Sequence, residues 1–276
     1  MDSQKQAAAL NQLSRLLFDQ AAFRWQLSLA IQFVAGIIGL VVSLYAPSMA
    51  TSAGWALLVL ILLGLSYWVR FLFEDSYDVA ETMRRQSVLS EGLNWALSRA
   101  QFNEWKSRAG RKLLNSAATN PRPDDYYETQ AASSPKRLAE MTFQSLFWTK
   151  NLYRKLQFYI SAFLVVVGVV LTALLLVSPL TTVEHEASLY VVYSIYLFVP
   201  VIISIDAVGL LVKLQRTINA LCAIEPHIES LAHDPAPPVA EVMRLVSEYN
   251  CAVSVGVPIP KWVFSRHHDE IEGYWS

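Results

Sequence analysis

Four long apolar runs dominate the pattern of hydrophobic and polar positions along the chain. A membrane-spanning helix needs about 20 predominantly apolar residues, and four segments reach that length: 26–46, 54–73, 158–178 and 189–212. A seven-residue uncharged connection joins the first two runs, and a ten-residue connection without Lys or Arg joins the last two. Both connections begin with proline, which favours a turn. The pattern therefore predicts an all-α membrane protein with four transmembrane helices arranged as two hairpins.

The basic residues indicate how these spans are oriented. Residues 1–25 contain three Lys or Arg, residues 70–157 contain fourteen, and residues 213–276 contain five, which together account for all 22 in the chain. Neither connection between paired spans contains one. Because Lys and Arg accumulate in the cytosolic segments of membrane proteins, we expect both termini and the central segment to lie in the cytosol.

Five segments follow from this topology, and the cytosolic ones are expected to be helical. Leu10, Leu13 and Leu17 share one helical face, so we expect an amphipathic helix to lead into the first span. The helix of the second span has no breaker at its inner end and is expected to continue towards Trp105. The predicted segments are a cytosolic amphipathic helix (1–25), transmembrane hairpin 1 (26–73), a cytosolic helical insert (74–157), transmembrane hairpin 2 (158–212), and cytosolic C-terminal helices with a tail (213–276).

The composition indicates a membrane protein, and the sequence shows no motif for a catalytic reaction. The chain is 54% hydrophobic and 16% charged, which is too apolar for an ordinary soluble globular protein. Its net charge of −1 argues against bulk electrostatic binding of nucleic acid. The sequence contains no Walker-type glycine loop, G-x-S-x-G, H-E-x-x-H or CxxC motif. We therefore predict a protein that is not an enzyme and that carries no cofactor.

The densest titratable run is His267-His268-Asp269-Glu270, close to the C-terminus. Imidazole and carboxylate groups are ordinary metal ligands, but adjacent residues point in different directions on most backbones, and no second set of ligands is visible. A solvated tail is the favoured interpretation, so no metal site is predicted. The preceding segment, 258–262, is expected to be extended and packed against another part of the protein.

A stripe of small and polar residues interrupts the apolar surface of the first span. Its members recur at helical spacing and are Ser28, Gln32, Gly36, Gly39 and Ser43. Small residues let membrane helices approach closely, as in the Ala35-x-x-x-Gly39 spacing. The stripe is interpreted as tight packing within one subunit, or as a surface that packs between subunits or lines a pore. The other spans carry too few polar residues for one copy to enclose a water-filled path, so a pore would require a homo-oligomer or a rearrangement.

The fourth span contains two residues that membrane helices rarely tolerate. Asp206 lies six residues before the end of that run. At the centre of a bilayer an ionised carboxylate costs about 2.5–3.5 kcal/mol. Pro200 removes a backbone donor and can kink the helix. Asp206 is interpreted either as a gate residue or as a structural partner of Lys213 or Arg70.

A polar loop in the central segment is the most distinctive motif outside the spans. It reads Arg122-Pro123-Asp124-Asp125-Tyr126-Tyr127. Arg122, Asp124, Asp125, Tyr126 and Tyr127 could clamp a ligand or a partner, but a capped loop is the favoured interpretation.

Three short motifs and the two-hairpin layout together resemble a known family. The motifs are the 122–127 loop, the run Ser145-Leu146-Phe147-Trp148-Thr149-Lys150-Asn151-Leu152 before the third span, and Pro258-Ile259-Pro260-Lys261-Trp262. The arrangement is similar to that of the SMODS-associating four-transmembrane effectors, a family of bacterial pore-forming proteins. The resemblance implies an effector of a nucleotide-signalled antiphage system in the bacterial inner membrane. A sister enzyme would make a cyclic or oligonucleotide second messenger, sensed by this chain or by a partner sensor protein, and no catalytic residues are implied.

Two functions follow as hypotheses. In the first, a cytosolic signal acts on the helical insert, and the oligomer then permeabilises the lipid bilayer. In the second, a non-conducting membrane anchor or scaffold recruits a cytosolic partner. A membrane enzyme or a small transporter fits less well, because catalytic motifs and discontinuous helices with several buried polar sites are not seen.

Overall fold

Seven helices make up the part of the chain that the computed structural model describes, which is residues 3–45, 49–119, 127–177 and 206–275. In chain order they are α1 (Ser3–Tyr45), α2 (Met49–Leu93), α3 (Arg99–Thr119), α4 (Pro135–Val177), α5 (Ala207–His233), α6 (Val239–Ser254) and α7 (Lys261–Trp275). No strand occurs among these residues. The predicted all-α fold is therefore confirmed.

Four of these helices, α1, α2, α4 and α5, are long and apolar enough to cross a membrane. At 1.5 Å per residue the 45-residue α2 measures about 68 Å, more than twice the thickness of a hydrocarbon core of about 30 Å. Only part of such a helix can therefore lie in a bilayer. The predicted fourth run, 189–212, falls mostly on residues outside the described part of the chain. The end of that run lies in α5, which begins at Ala207. A multi-pass membrane protein is thus supported.

The chain divides into two compact units. The first consists of Met1–Ala22, Phe73–Lys155 and Lys213–Ser276, and we call it the polar unit. The second consists of Phe23–Leu72 and Leu156–Val212, and we call it the apolar unit. Both α1 and α2 begin in one unit and end in the other without a helix break, and α4 does the same.

One core of the polar unit is built by α1, α2 and α3. It contains Leu10, Leu13 and Leu17 from α1, Val79, Ala80 and Met83 from α2, and Phe102, Trp105 and Ala109 from α3. The helix of the second span continues beyond its inner end as predicted, but only as far as Leu93, and Trp105 reaches this core from a separate helix. The chain leaves α2 at Asn94, which has a φ of 55°. Asparagine is one of the few residues that adopt this left-handed conformation readily, and it ends helices for that reason.

A second apolar layer of the polar unit comes from the remaining helices. Its fully buried side chains include Leu138, Met141 and Leu146 of α4, Leu214, Leu221 and Ile228 of α5, Leu245 of α6, and Val263 and Ile271 of α7. Residues 258–260 are non-helical and two prolines there are buried, but the helix restarts at Lys261. The C-terminal segment is consequently a packed helix and not a tail, although Asp269 and Glu270 are exposed to solvent, as the interpretation of 267–270 expected.

The apolar unit shows large hydrophobic side chains on its outside. Phe33, Leu60 and Val165 have exposed fractions of 42%, 64% and 65%. Contiguous exposed apolar surface of this kind is rare on soluble proteins and is expected where lipid is the solvent. Within the unit, Arg24 Nη1 donates to the Leu72 carbonyl at 2.9 Å, and Ser66 Oγ donates to the Ser28 carbonyl at 3.1 Å. These contacts place the adjoining segments of α1 and α2 antiparallel.

Candidate functional site

Two adjoining cavities in the polar unit form the candidate site, which we call the cleft. The inner cavity has a volume of about 200 Å³ and the outer cavity about 380 Å³. They share the lining residues Phe18, Asp19, Arg84, Thr149, Tyr249 and Ile259. The walls are therefore supplied by α1, α2, α4 and α6, together with the segment that leads into α7.

A charged network on α2 sets the electrostatics where the two cavities meet. Glu81, whose side chain is only 5% exposed, accepts hydrogen bonds from Arg84 at 3.0 and 2.7 Å and from Arg85 Nε at 3.1 Å. Arg84 Nη2 also donates to Asn250 Oδ1 at 2.9 Å, and Arg85 Nη2 donates to the Asn250 carbonyl at 3.1 Å. One carboxylate thus neutralises only one of two guanidinium groups. The network joins α2 to α6 and leaves one net positive charge beside the cleft.

Tyrosines give the inner cavity its apolar, ordered wall. The guanidinium carbon of Arg84 lies 5.4 Å from the ring centroid of Tyr249, within the range of a cation–π contact. The Tyr249 hydroxyl lies 3.2 Å from Thr149 Oγ1, so it also ties α6 to α4. Tyr153 is fully buried, and a Cβ placed on Gly256 would stand 2.3 Å from its hydroxyl oxygen. A side chain at position 256 would therefore have to displace a wall of the cavity.

The outer cavity combines aromatic rings with basic groups. Its aromatic residues are Phe18, Tyr127, Trp148, Tyr249 and Phe264, and its charged residues are Arg15, Asp19, Arg84 and Lys261. The rings of Trp148 and Phe264 are 5.9 Å apart, which attaches α7 to α4. Among the described residues that line the outer cavity, basic side chains therefore outnumber the single carboxylate, that of Asp19.

Glu270 is the main polar attachment of α7. It accepts hydrogen bonds from Lys155 Nζ of α4 at 2.6 Å, from His267 Nδ1 at 2.8 Å and from the Tyr274 hydroxyl at 3.2 Å. The hydrogen bonds from Lys155 and His267 lower the pKa of the Glu270 carboxyl to about 2. At the end of the helix, Trp275 Nε1 donates to Glu128 Oε2 at 2.9 Å.

Three residues of α7 place possible metal ligands close together. One ligand atom from each of His268, Asp269 and Glu272 lies within 4.8 Å of the other two. Both carboxylates are exposed, and each lies within ion-pair distance of His268 Nδ1. The His268 ring also packs against Trp148, with centroids 5.2 Å apart. These are the contacts of an ordinary helix surface.

In the apolar unit, the small-residue stripe is buried at its first three positions. Ser28 and Gln32 are each 1% exposed, and Gly36 is buried. The Oε1 atom of Gln32 is buried and accepts no hydrogen bond within the described part of the chain. Gly39 differs, because a Cβ placed on it meets no described atom within 4 Å. The close approach that the Ala35-x-x-x-Gly39 spacing predicts is therefore not seen at Gly39, and the side chain of Ser43 lies outside the described residues.

The remaining predicted site residues fall in or next to parts that the structure does not describe. Pro200 and the loop residues Arg122, Asp124, Asp125 and Tyr126 lie outside the described residues. Tyr127, which follows that loop, is buried and lines the outer cavity, where its hydroxyl accepts a hydrogen bond from Ser145 Oγ at 3.4 Å. Asp206 is exposed in a turn before α5 with a φ of 52°, and its carbonyl accepts the Leu210 N–H at 2.8 Å.

Sequence reasoning missed most of the cleft. Glu81, Arg84, Tyr153 and Tyr249 come from three different helices, and their convergence depends on tertiary packing. One local signal existed: Glu81 precedes Arg84 and Arg85 by three and four residues, the spacing at which helical side chains meet.

No protein-family model, curated protein or solved structure matches this chain.

Proposed function

We propose that the protein is a signal-gated membrane effector. A cytosolic signal acts on the polar unit, and an oligomer of the chain then permeabilises the bacterial inner membrane. In this proposal the four spans form two hairpins, and both termini lie in the cytosol with the polar unit.

The observation that carries the proposal is the identity of the helices that line the cleft. Phe18 belongs to α1, Arg84 to α2 and Thr149 to α4. The same three helices continue unbroken into the apolar unit and are long and apolar enough to span a membrane. A helix is stiff along its axis, so a change in packing at the cleft has a direct covalent route to the spans. A scaffold would need no such continuity.

Two features of the apolar unit support a second, open arrangement. A buried acceptor without a partner costs about 1–3 kcal/mol, and Gln32 Oε1 has none among the described residues, so it disfavours the observed packing relative to one in which it is hydrated. Gly39 leaves open space around the first span instead of packing against a described neighbour. That space is suitable for a second copy of the chain, which a water-filled path through so apolar a unit requires.

The topology is tested with reporter fusions. A cytosol-active reporter such as green fluorescent protein is expected to fluoresce when fused to either terminus. A periplasm-active alkaline phosphatase is expected to be active when inserted in 47–53 or 179–188. Phosphatase activity at either terminus would overturn the orientation.

The gating function is tested in bacteria that produce the chain with its neighbouring genes and are challenged with phage. A potential-sensitive dye is expected to report depolarisation before lysis. Gly39→Leu is expected to abolish it, because the side chain would occupy the proposed contact between copies, and a Cβ at this position meets no described atom of its own chain within 4 Å. Gly64→Leu is the matched control, since Gly64 lies exposed on α2 with equally open surroundings. Intact polarisation in wild-type cells would contradict the proposal.

The antiphage setting rests on the resemblance of the motifs alone. It implies a nucleotide second messenger, or a partner sensor protein, as the activator. An adjacent gene for a nucleotidyltransferase-like enzyme would support that setting, and its absence in every genome that carries the chain would contradict it.

A non-conducting scaffold is the second candidate, and one observation favours it. The polar unit has exposed apolar side chains at Val239 (52%), Val255 (65%), Trp262 (47%) and Tyr274 (67%). Such residues can dock a protein partner. A stable complex in pull-downs, combined with unchanged membrane conductance after challenge, would favour the scaffold over the effector.

A further inference from the structure

We infer that the cleft of the polar unit is the binding site of a small aromatic anion. The inference deepens the proposed function, because it names the chemical class of signal that the polar unit takes. It rests on the size, the charge and the lining of the two cavities.

Size comes first. Pockets for small molecules and cofactors measure about 300–1,000 Å³, and the outer cavity alone reaches about 380 Å³. The inner cavity extends it by a further region of about 200 Å³. A compact organic molecule fits this space, whereas a peptide helix or a nucleic-acid strand does not.

Charge selects an anion. Among the described residues that line the outer cavity, Arg15, Arg84 and Lys261 are basic and Asp19 is acidic. Glu81 cannot cancel this excess, because it is shared between Arg84 and Arg85. Arginine is well suited to phosphate and carboxylate groups because its planar fork of donors matches their oxygens. A ligand with one or two negative charges would therefore be held more strongly than a neutral analogue.

The lining selects an aromatic body for that anion. Trp148 and Phe264 stand beside the basic groups, and Tyr127 closes the same cavity. The inner cavity is lined by Tyr77, Tyr153 and apolar residues of 253–259. A flat ring can stack on such side chains and enter the apolar region, while its anionic group stays with the arginines.

The wall is also built to keep its shape. Arg84 is fixed on one side by Glu81 and Asn250, and Tyr249 is fixed by Thr149. Groups that are already oriented lose little conformational entropy when a ligand binds. The ordered side chains of the cleft thus have the arrangement expected of a preformed site.

The experiment measures binding to the purified full-length protein in detergent micelles at low salt, by isothermal titration calorimetry. Adenosine 5′-monophosphate, phenyl phosphate and benzoate are the aromatic anions, and they distinguish a nucleotide source from a simple aryl phosphate or carboxylate. Adenosine has the ring without the charge, and ribose 5-phosphate has the charge without the ring. At least one aromatic anion is expected to bind at least about tenfold more tightly than adenosine and ribose 5-phosphate, since a hydrogen bond to a charged group contributes about that factor.

Two substitutions test whether binding occurs in the cleft. Lys261→Glu is expected to weaken binding of that anion by about tenfold or more. Position 261 is exposed and begins α7, where a glutamate suits the helix dipole, so the variant is expected to fold. Phe264→Leu keeps an apolar side chain and is expected to weaken binding several-fold. Lys112→Glu is the matched control, because Lys112 is exposed on α3 and lines neither cavity.

The outcomes separate this inference from the proposed function. The assignment of the cleft to an aromatic anion is overturned if no aromatic anion binds below about 10 mM, or if adenosine binds as well as adenosine 5′-monophosphate. It is also overturned if Lys261→Glu binds the anion like Lys112→Glu. Binding in micelles together with an intact membrane potential in challenged cells would support the binding site in the cleft and contradict the effector function. Depolarisation without any such binding would remove the cleft alone.

Discussion

At the scale of single residues, the Glu81 network shows what a buried charge does for this protein. Removing one partner of a buried ion pair leaves the other uncompensated and costs about 3–5 kcal/mol. Glu81→Gln keeps a hydrogen-bond acceptor but not the charge, so we expect the loss of about 3 kcal/mol of unfolding free energy. Thermal unfolding of the purified protein measures it. Glu248→Gln is the control, because its pair with Arg244 is exposed on α6 and contributes below about 1 kcal/mol. Equal effects of the two substitutions would contradict this account of the network.

Gln32 is the opposite case, a buried polar group whose Oε1 atom has no hydrogen-bond donor among the described residues. Gln32→Leu has a similar size and removes the acceptor without a partner, so we expect it to stabilise the protein by about 1 kcal/mol. For a chain of this length that corresponds to about 2–4 °C in the unfolding midpoint. Ser66→Ala, which removes the hydrogen bond to the Ser28 carbonyl, is expected to lower it slightly. A lower midpoint for Gln32→Leu would show that Oε1 is satisfied in the protein.

At the scale of elements, α7 is attached to α4 by a contact that acid can break. The hydrogen bonds from Lys155 and His267 lower the pKa of Glu270 from 4.5 to about 2. A lowered pKa means that the contact stabilises the folded state fully above pH 4.5 and is lost as the pH falls towards 2. We therefore expect the protection of the amides in 261–275 against hydrogen exchange, corrected for the intrinsic pH dependence of the exchange rate, to fall over that window.

Glu270→Gln is expected to reproduce the effect at neutral pH, with α6 and α3 unchanged. Glu272→Gln is the control, since Glu272 is exposed on the same helix and contacts only His268 among the described residues. Protection in 261–275 that stays constant between pH 5 and pH 2 after this correction, in both wild type and Glu270→Gln, would refute the attachment.

The elements also show how far the sequence carries a prediction. The four apolar runs predicted spanning helices because bilayer thickness acts on each helix separately, and length and hydropathy suffice to recognise it. The break at Asn94 was missed because the apolar pattern continues through Leu97, and one asparagine among helix formers is a weak signal. The C-terminal helix was missed because it is held by ring contacts with α4, such as that of Phe264 with Trp148, and these contacts cannot be read from its own composition.

The candidate site was harder to predict than the fold for the same physical reason. Tyr127 was singled out from its motif and does line the cleft, but Arg84, Tyr153 and Tyr249 carry no motif. Each is an ordinary residue of its own helix, and the cleft exists only where those helices pack together. Patterns within one helix cannot specify such a convergence.

At the scale of the whole molecule, the effector proposal depends on helix continuity between the cleft and the spans. Inserting Gly-Gly after Lys155 would interrupt α4 where the polar unit ends. Two extra residues rotate the following helix by about 200°, and glycine costs about 1 kcal/mol per residue in a helix interior. We expect this variant to bind the aromatic anion like the wild type, because the residues that line the cleft all lie in other parts of the chain or before the insertion. Depolarisation of challenged cells is expected to be lost.

The matched control is the same Gly-Gly insertion after Pro235, in the non-helical connection between α5 and α6. Loops tolerate added residues at little cost, so binding and depolarisation are both expected to persist there. If the insertion after Lys155 still depolarised cells, the signal would have to reach the spans through contacts other than α4. If it also abolished binding, the folding of the cleft would depend on an unbroken α4. The role of α4 would then not be limited to connecting the cleft to the membrane. Retained binding with lost depolarisation is the result that couples the cleft to the spans through the helix itself.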